Sequence, residues 1–143
     1  MNEDESLHRN LHPELHSLLL RFHRINGQPL RSVWRVYSEG SLDKIVLAFD
    51  HEFLVIEADA RDDTLIFSVS CDAGAHTNGW TDASSSEPWA RFIGKEFGWG
   101  WITINQQDAF DGILLSFNGI TPQVILNVMA SSIKEGIISE VQS

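Results

Sequence analysis

The sequence has little cysteine and no long apolar run. Its single cysteine, Cys71, is one of 143 residues and leaves no partner for an internal disulfide or for a multi-cysteine metal site. No stretch approaches the roughly 20 consecutive apolar residues that a membrane-spanning helix needs. The acidic residues 1–5 are the opposite of the basic start of a signal peptide. We therefore expect a cytoplasmic protein.

Basic residues are also scarce. Lysine and arginine number 10 against 20 aspartates and glutamates, so the net charge is −10. The imbalance is concentrated in residues 39–72, where nine carboxylates accompany only Lys44 and Arg61. Nucleic acid and anionic membranes are not expected partners, because both require clustered cations. This acidic segment either keeps the protein soluble or attracts a basic protein partner, and Asp62 and Asp63 are its candidate contact residues.

Motifs that hold nucleotides or metals are missing. The tract "GKEFGWG" at 94–100 matches neither the P-loop nor the dinucleotide fingerprint, and there is no HExxH and no calcium loop. The six histidines have no carboxylate at a characteristic ligand spacing. We expect no cofactor and no bound metal.

What is present indicates one domain over residues 1–143, with 1–10 frayed. The segment "HPELHSLLLRFHRING" at 12–27 predicts a helix, because its apolar residues recur at spacings of three and four. Pro13 suits the first turn of this helix and Gly27 its C′ position.

Alternating segments follow the predicted helix. They are "LRSVWRVYS", "LDKIVLAFD", "FLVIEADA" and "TLIFSVS", and their short connections predict antiparallel pairing. The segments "FGWGWITINQ" and "DGILLSFNG" predict a hairpin. Residues 122–136 suit a helix or a strand, and their β-branched content together with the preceding Asn118-Gly119 favours a strand. The predicted fold is α+β: an antiparallel sheet of about six strands packed against the N-terminal helix, with one further short helix at 85–97.

An aromatic stretch, "FGWGWITINQQDAFDG" at 97–112, admits two interpretations. Alternation predicts that Phe97, Trp99 and Trp101 share one face, which would lie in the core beneath the helix. Alternatively, Trp99 and Trp101 join Trp80 and Trp89 in an aromatic patch that binds a partner. The nearby Asp108 and Asp111 are expected to be turn residues rather than an acid–base pair.

The longest irregular segment, "DAGAHTNGWTDASSSEP" at 72–88, is a second candidate site. Loops of this length in compact domains are often functional. His76 and Asp82, with Trp80, are the side chains that would bind a small ligand or carry out catalysis beneath it. Cys71 adjoins Asp72, and a neighbouring carboxylate raises the pKa of a thiol, so Cys71 is expected to be a packing residue.

The stretch "WITINQQDAFDGILLSF" resembles a small bacterial domain family of uncharacterised function. The residues that carry the resemblance are Trp101, Asn105, Gln106, Gln107, Asp111, Gly112 and Phe117. It would cover roughly residues 30–135. The resemblance implies a bacterial single-domain protein and assigns no catalytic residue.

Three functional hypotheses remain. The favoured one is a non-catalytic protein-binding domain, inhibitor- or immunity-like, that uses an acidic face and an aromatic patch against a basic partner. The second is a ligand-binding protein or enzyme with its site under the 72–88 loop. The third is a self-associating protein whose sheet edges or tryptophan faces pair between copies.

Overall fold

The computed structural model describes residues 13–59, 64–71, 79–106 and 110–138. Within these ranges one α-helix, α1, spans Pro13–Ile25, and a 3₁₀ turn spans Ala90–Phe92. The strands are β1 Ser32–Ser38, β2 Ser41–Ala48, β3 Phe53–Asp59, β4 Thr64–Ser70, β5 Trp80–Asp82, β6 Phe97–Ile104, β7 Phe110–Phe117, β8 Val124–Met129 and β9 Ser132–Ile137. No helix within the described ranges has the length and apolar content to cross a bilayer.

The strands form two antiparallel sheets. Sheet I has the order β4-β3-β2-β1-β5 and sheet II the order β6-β7-β8-β9. The α+β class and the antiparallel pairing are confirmed, but the prediction of a single sheet of about six strands is wrong. Local alternation predicts that a segment is a strand, but it does not reveal which layer the strand joins.

The predicted short helix at 85–97 is also wrong. This segment carries the chain from β5 in sheet I to β6 in sheet II, and only its 3₁₀ turn is helical. Gly94, at φ +87°, reverses the chain directly after the turn. Its amide donates to the carbonyl of Leu30 at 2.7 Å, so the backbone here bonds across to the segment before β1 instead of continuing a helix.

The two sheets pack face to face over a common core. β2 lies against β9 and β4 against β7. The inward-facing residues, including Ile45, Leu54, Ile113 and Leu126, are fully buried. The alternating patterns of both sheets are satisfied in this way, because each apolar face is covered by the other.

Helix α1 closes one side of this sandwich. It contacts β4 of sheet I and β6 of sheet II, and it contributes Phe22 and Ile25 to the core. Arg21 and Arg24 donate to the carbonyl oxygens of Phe67 and Val69 on β4, at 3.2 and 3.3 Å. The helix thus supplies hydrogen-bond donors along a sheet edge that no further strand of the described ranges covers.

Sheet II is built from two hairpins. The predicted hairpin between the "FGWGWITI" and "DGILLSF" segments is confirmed as β6 and β7. The strand prediction for 122–136 is confirmed in its type of secondary structure, but the segment forms two paired strands, β8 and β9, instead of one. Ala130 and Ser131, at φ 53° and 66°, form the two-residue turn between them, and positive φ at both positions is typical of a type I′ turn.

Candidate functional site

Two tryptophans and an aspartate meet on the outer face of sheet I. In the pairing of β1 with β5, Trp34 lies opposite Asp82 and Val36 opposite Trp80. The indole centroids of Trp34 and Trp80 are 6.5 Å apart, with an interplanar angle of 47°. Both indoles are half-buried and Asp82 is exposed. We call Trp34, Trp80 and Asp82 the Trp–Asp site.

Strand alternation places this site on the outer face of sheet I, which points away from sheet II. Val33, next to Trp34 along β1, is fully buried in the common core, so Trp34 points the other way. The row continues from Trp34 to Val46 on β2 and Val55 on β3. These two valines are buried, yet they do not belong to the core cluster between the sheets. The centre of sheet I is therefore apolar on both faces, whereas the outer face of an antiparallel sheet is commonly polar.

The carboxylate of Asp82 is held in place by the residues that follow it. Its Oδ1 accepts a hydrogen bond from the amide of Ser84 at 2.8 Å. The Ser84 hydroxyl oxygen in turn accepts from the amide of Val33 at 3.0 Å. The bonds that the Ser84 amide and hydroxyl donate lower the pKa of Asp82 below its usual value. Asp82 therefore presents a negative charge beside the indoles at any neutral or mildly acidic pH.

Most of the cations in the described residues are already bound to carboxylates. Five ion pairs account for them: Arg24–Glu52, Arg31–Asp50, Arg35–Glu135, Lys44–Glu57 and Arg91–Glu87. The Lys44–Glu57 pair, with an N–O distance of 3.9 Å, lies on the same face as the Trp–Asp site, because Lys44 lies opposite Val36 in the sheet. The chain as a whole keeps a negative excess, with a net charge of −10.

The other predicted tryptophans lie elsewhere. Trp89 is fully buried, and its Nε1 donates to Oε2 of Glu135 at 2.8 Å. Trp99 packs beside α1, with ring centroids 5.8 Å from Phe22 and 5.0 Å from His23. Trp101 is half-buried on the outer face of sheet II.

One detail of the aromatic stretch differs from the prediction that Phe97, Trp99 and Trp101 share a face. The register of β6 shifts between Phe97 and Trp99. Phe97 consequently lies in the core, while Trp101 faces outward, opposite Leu114. A bulge of this kind inserts one residue into the alternation and redirects the side chains that follow it.

Of the sequence-predicted site residues, the structure brings together Trp80 and Asp82. Asp62, Asp63 and His76 lie outside the described residues, as does Asp108. Trp34 was not singled out from the sequence, although its position gave a usable signal. It is a large aromatic residue on the side of β1 opposite the apolar core residue Val33.

Clusters of metal ligands and surface depressions are the other places in the described ranges where a ligand could bind. These ranges contain no group of three or more His, Cys, Asp and Glu side chains arranged to hold a metal ion. One depression of about 370 Å³ lies among residues that include Gly27, Gly98 and Ile120. Another, of about 240 Å³, lies beside Pro88 and Ile137. The residues that line these two depressions do not include those of the Trp–Asp site.

These features define the chain as a two-sheet α+β domain with an aromatic–acidic surface. The family of unknown function DUF6334 matches residues 16–142, and the chain belongs to this family. The resemblance to an uncharacterised single-domain family is thereby confirmed, over a longer stretch than residues 30–135. No curated protein and no solved structure gives a significant match.

Proposed function

We propose that this protein is a non-catalytic binding domain, inhibitor- or immunity-like, that recognises a basic segment of another protein in the cytoplasm. The observation that carries the proposal is the Trp–Asp site, where two indoles and one carboxylate share the outer face of sheet I. An arginine or lysine side chain of the partner would bind between the indoles and the carboxylate.

The chemistry of the three side chains favours a cation. The face of an indole attracts a guanidinium or ammonium group, and tryptophan is the strongest of the aromatic side chains in this respect. The Asp82 carboxylate can then accept hydrogen bonds from the same cation. Arginine fits best, because its planar guanidinium stacks on an indole while its edge donates to a carboxylate.

The charge of the whole chain acts in the same direction. A net charge of −10 attracts cationic partners over a distance comparable with the Debye length and raises their association rate. Because this effect is not specific to one surface, an experiment has to separate it from direct binding at the Trp–Asp site.

An arginine-rich peptide and a matched peptide with glutamine at each arginine provide that separation. Binding is followed by two-dimensional NMR, which resolves the indole N–H of each tryptophan. We expect the arginine peptide to shift the Trp34 and Trp80 signals, and Trp80→Ala to weaken its binding by about tenfold. Asp82→Asn should also weaken binding, since it keeps the oxygen that accepts the Ser84 amide but removes the charge.

Two variants serve as matched controls. Trp101→Ala removes a half-buried indole from the other sheet, and Asp43→Asn removes one charge from another part of sheet I. Both should bind the arginine peptide as the unaltered protein does. If they weaken binding as much as Trp80→Ala and Asp82→Asn, the attraction is only that of an acidic protein, and the proposal fails.

The alternative hypothesis is a small-ligand or catalytic site under the 72–88 loop. That hypothesis depends on His76, which lies outside the described residues.

A further inference from the structure

The outer face of sheet II carries an apolar row that runs across all four strands. Trp101 on β6 pairs with Leu114 on β7, Leu114 with Ile125 on β8, and Ile125 with Gly136 on β9. Residues directly opposite each other in a sheet point to the same face. The three large side chains are half-buried and do not belong to the core cluster. Their neighbours along the strands, such as Leu115 and Leu126, fill the core instead.

We infer that a second copy of the chain packs against this face. The two copies are related by a two-fold axis that runs parallel to the strands, between β7 and β8. That operation places β6 of one copy over β9 of the other and β7 over β8. Trp101 then lies over Gly136 of the second copy, and Leu114 over Ile125. The largest side chain of the row thus meets the residue that has none, and two aliphatic side chains of equal size meet each other.

The next row of the face repeats this complementarity. It runs from Thr103 through Gly112 and Asn127 to Lys134. Gly112 is buried, and a Cβ added to it would lie 2.6 Å from the Thr103 hydroxyl oxygen, so this position has no room for a side chain of its own. The two-fold axis sets Asn127 over Gly112 of the second copy, and Lys134 over Thr103.

Charge complementarity supports the same axis. The Thr103 hydroxyl donates to Asp111 at 2.7 Å, which holds this carboxylate beside the Thr103 end of the row. Lys134, at the opposite end, is exposed and has no ion pair with another described residue. In the dimer Lys134 of each copy lies beside Asp111 of the other copy, so the contact occurs twice. An isologous interface requires this self-complementary placement.

The size of the face indicates a weak dimer. Four strands about 4.8 Å apart, about six residues long at about 3.3 Å each, give a footprint of about 19 by 20 Å. This is roughly half of the 800 Å² per partner in a standard interface. The test therefore has to extend from micromolar to near-millimolar protein.

Sedimentation velocity on the full chain, in about 0.15 M salt to limit repulsion between two acidic copies, measures this association. The unaltered protein should change from monomer to dimer as its concentration rises. Lys134→Glu places two carboxylates at the contact with Asp111 of the other copy, and Asp111→Lys places two ammonium groups there. Because like charges then meet, each variant alone should dimerise at least about tenfold more weakly. Lys95→Glu, which makes the same charge change at an exposed lysine outside the face, should match Lys134→Glu in net charge and still dimerise.

Mixing the two variants gives the decisive result. In a heterodimer of Lys134→Glu with Asp111→Lys, both contacts join opposite charges again, so the mixture should regain dimer. A loss of folding in either variant would not produce that recovery. A protein that stays monomeric throughout the range overturns the inference. So do variants that leave dimerisation unchanged, and so does a mixture that stays monomeric.

Discussion

Glu135 on β9 forms a two-point ion pair with Arg35 on β1. The distances are 2.7 Å from Nη2 to Oε1 and 3.1 Å from Nε to Oε2, and the two side chains are only 12% and 14% exposed. The indole of Trp89 donates to the same carboxylate, and Arg35 also donates to the carbonyl of Glu87 at 2.9 Å. One carboxylate thus joins sheet I, sheet II and the segment that connects them.

Replacing this carboxylate should be costly. Glu135→Gln leaves the Arg35 guanidinium in the interior without a counter-charge, and the loss of one partner from a buried pair costs about 3 kcal/mol or more. We expect the free energy of unfolding, measured by urea denaturation, to fall by that amount. A change of less than about 1 kcal/mol would mean that water solvates the pair far more than its burial indicates.

The matched control is Glu87→Gln, which removes the acid of the Arg91–Glu87 pair. Both side chains of that pair are more than half exposed. Exposed pairs contribute about 0–1 kcal/mol, so this variant should unfold at nearly the same urea concentration as the unaltered protein.

A close backbone approach makes a second prediction. A Cβ added to Gly98 would lie 1.7 Å from the carbonyl oxygen of Gly119, and backbone cannot move aside as a flexible side chain can. Gly98→Ala should therefore destabilise the protein by about 2 kcal/mol or more in thermal or urea unfolding. At Gly136 the nearest atom to an added Cβ is the Ile125 methyl at 3.2 Å, so Gly136→Ala should change stability by less than about 1 kcal/mol.

The covered edge of β4 makes a third prediction. Replacing both Arg21 and Arg24 by alanine removes the donors to the carbonyls of Phe67 and Val69. Because an uncovered edge can pair with another chain, we expect faster aggregation with increased β content, followed by light scattering and infrared spectroscopy. Arg31→Ala also removes an arginine but leaves β4 unchanged, and it should aggregate no faster than the unaltered protein.

The fourth prediction concerns pH. The pKa of Asp82 is lower in the folded protein than in the unfolded chain, so its contribution to stability is present above the unfolded pKa. That contribution is lost as the pH falls through the folded pKa, in the range below about 4. Ser84→Ala removes the hydroxyl donor and should raise the pKa of Asp82 toward its usual value. Carboxyl-detected NMR titration measures this shift, and an unchanged midpoint would mean that the Ser84 amide alone lowers it.

The candidate site was only partly predictable from the sequence. Trp80 and Asp82 were identified because they lie in an irregular segment rich in polar residues. Trp34 was not, because it occurs in an ordinary alternating strand more than 40 positions earlier. The pairing of β5 with β1 brings these residues together, and no local pattern specifies which strand a three-residue segment will join.

Most of the local structure can be predicted from the sequence. The spacing of apolar residues predicts α1, and the period-two patterns and turn residues predict β1 to β4 and the hairpin of β6 with β7. These features depend on neighbours a few residues apart, so they are readable along the chain. Three features cannot be predicted from local patterns: the division into two sheets, the bulge that turns Phe97 inward, and the contact of Arg35 with Glu135. Each of these is selected by the packing of distant segments, whose free energy is a property of the whole assembled core.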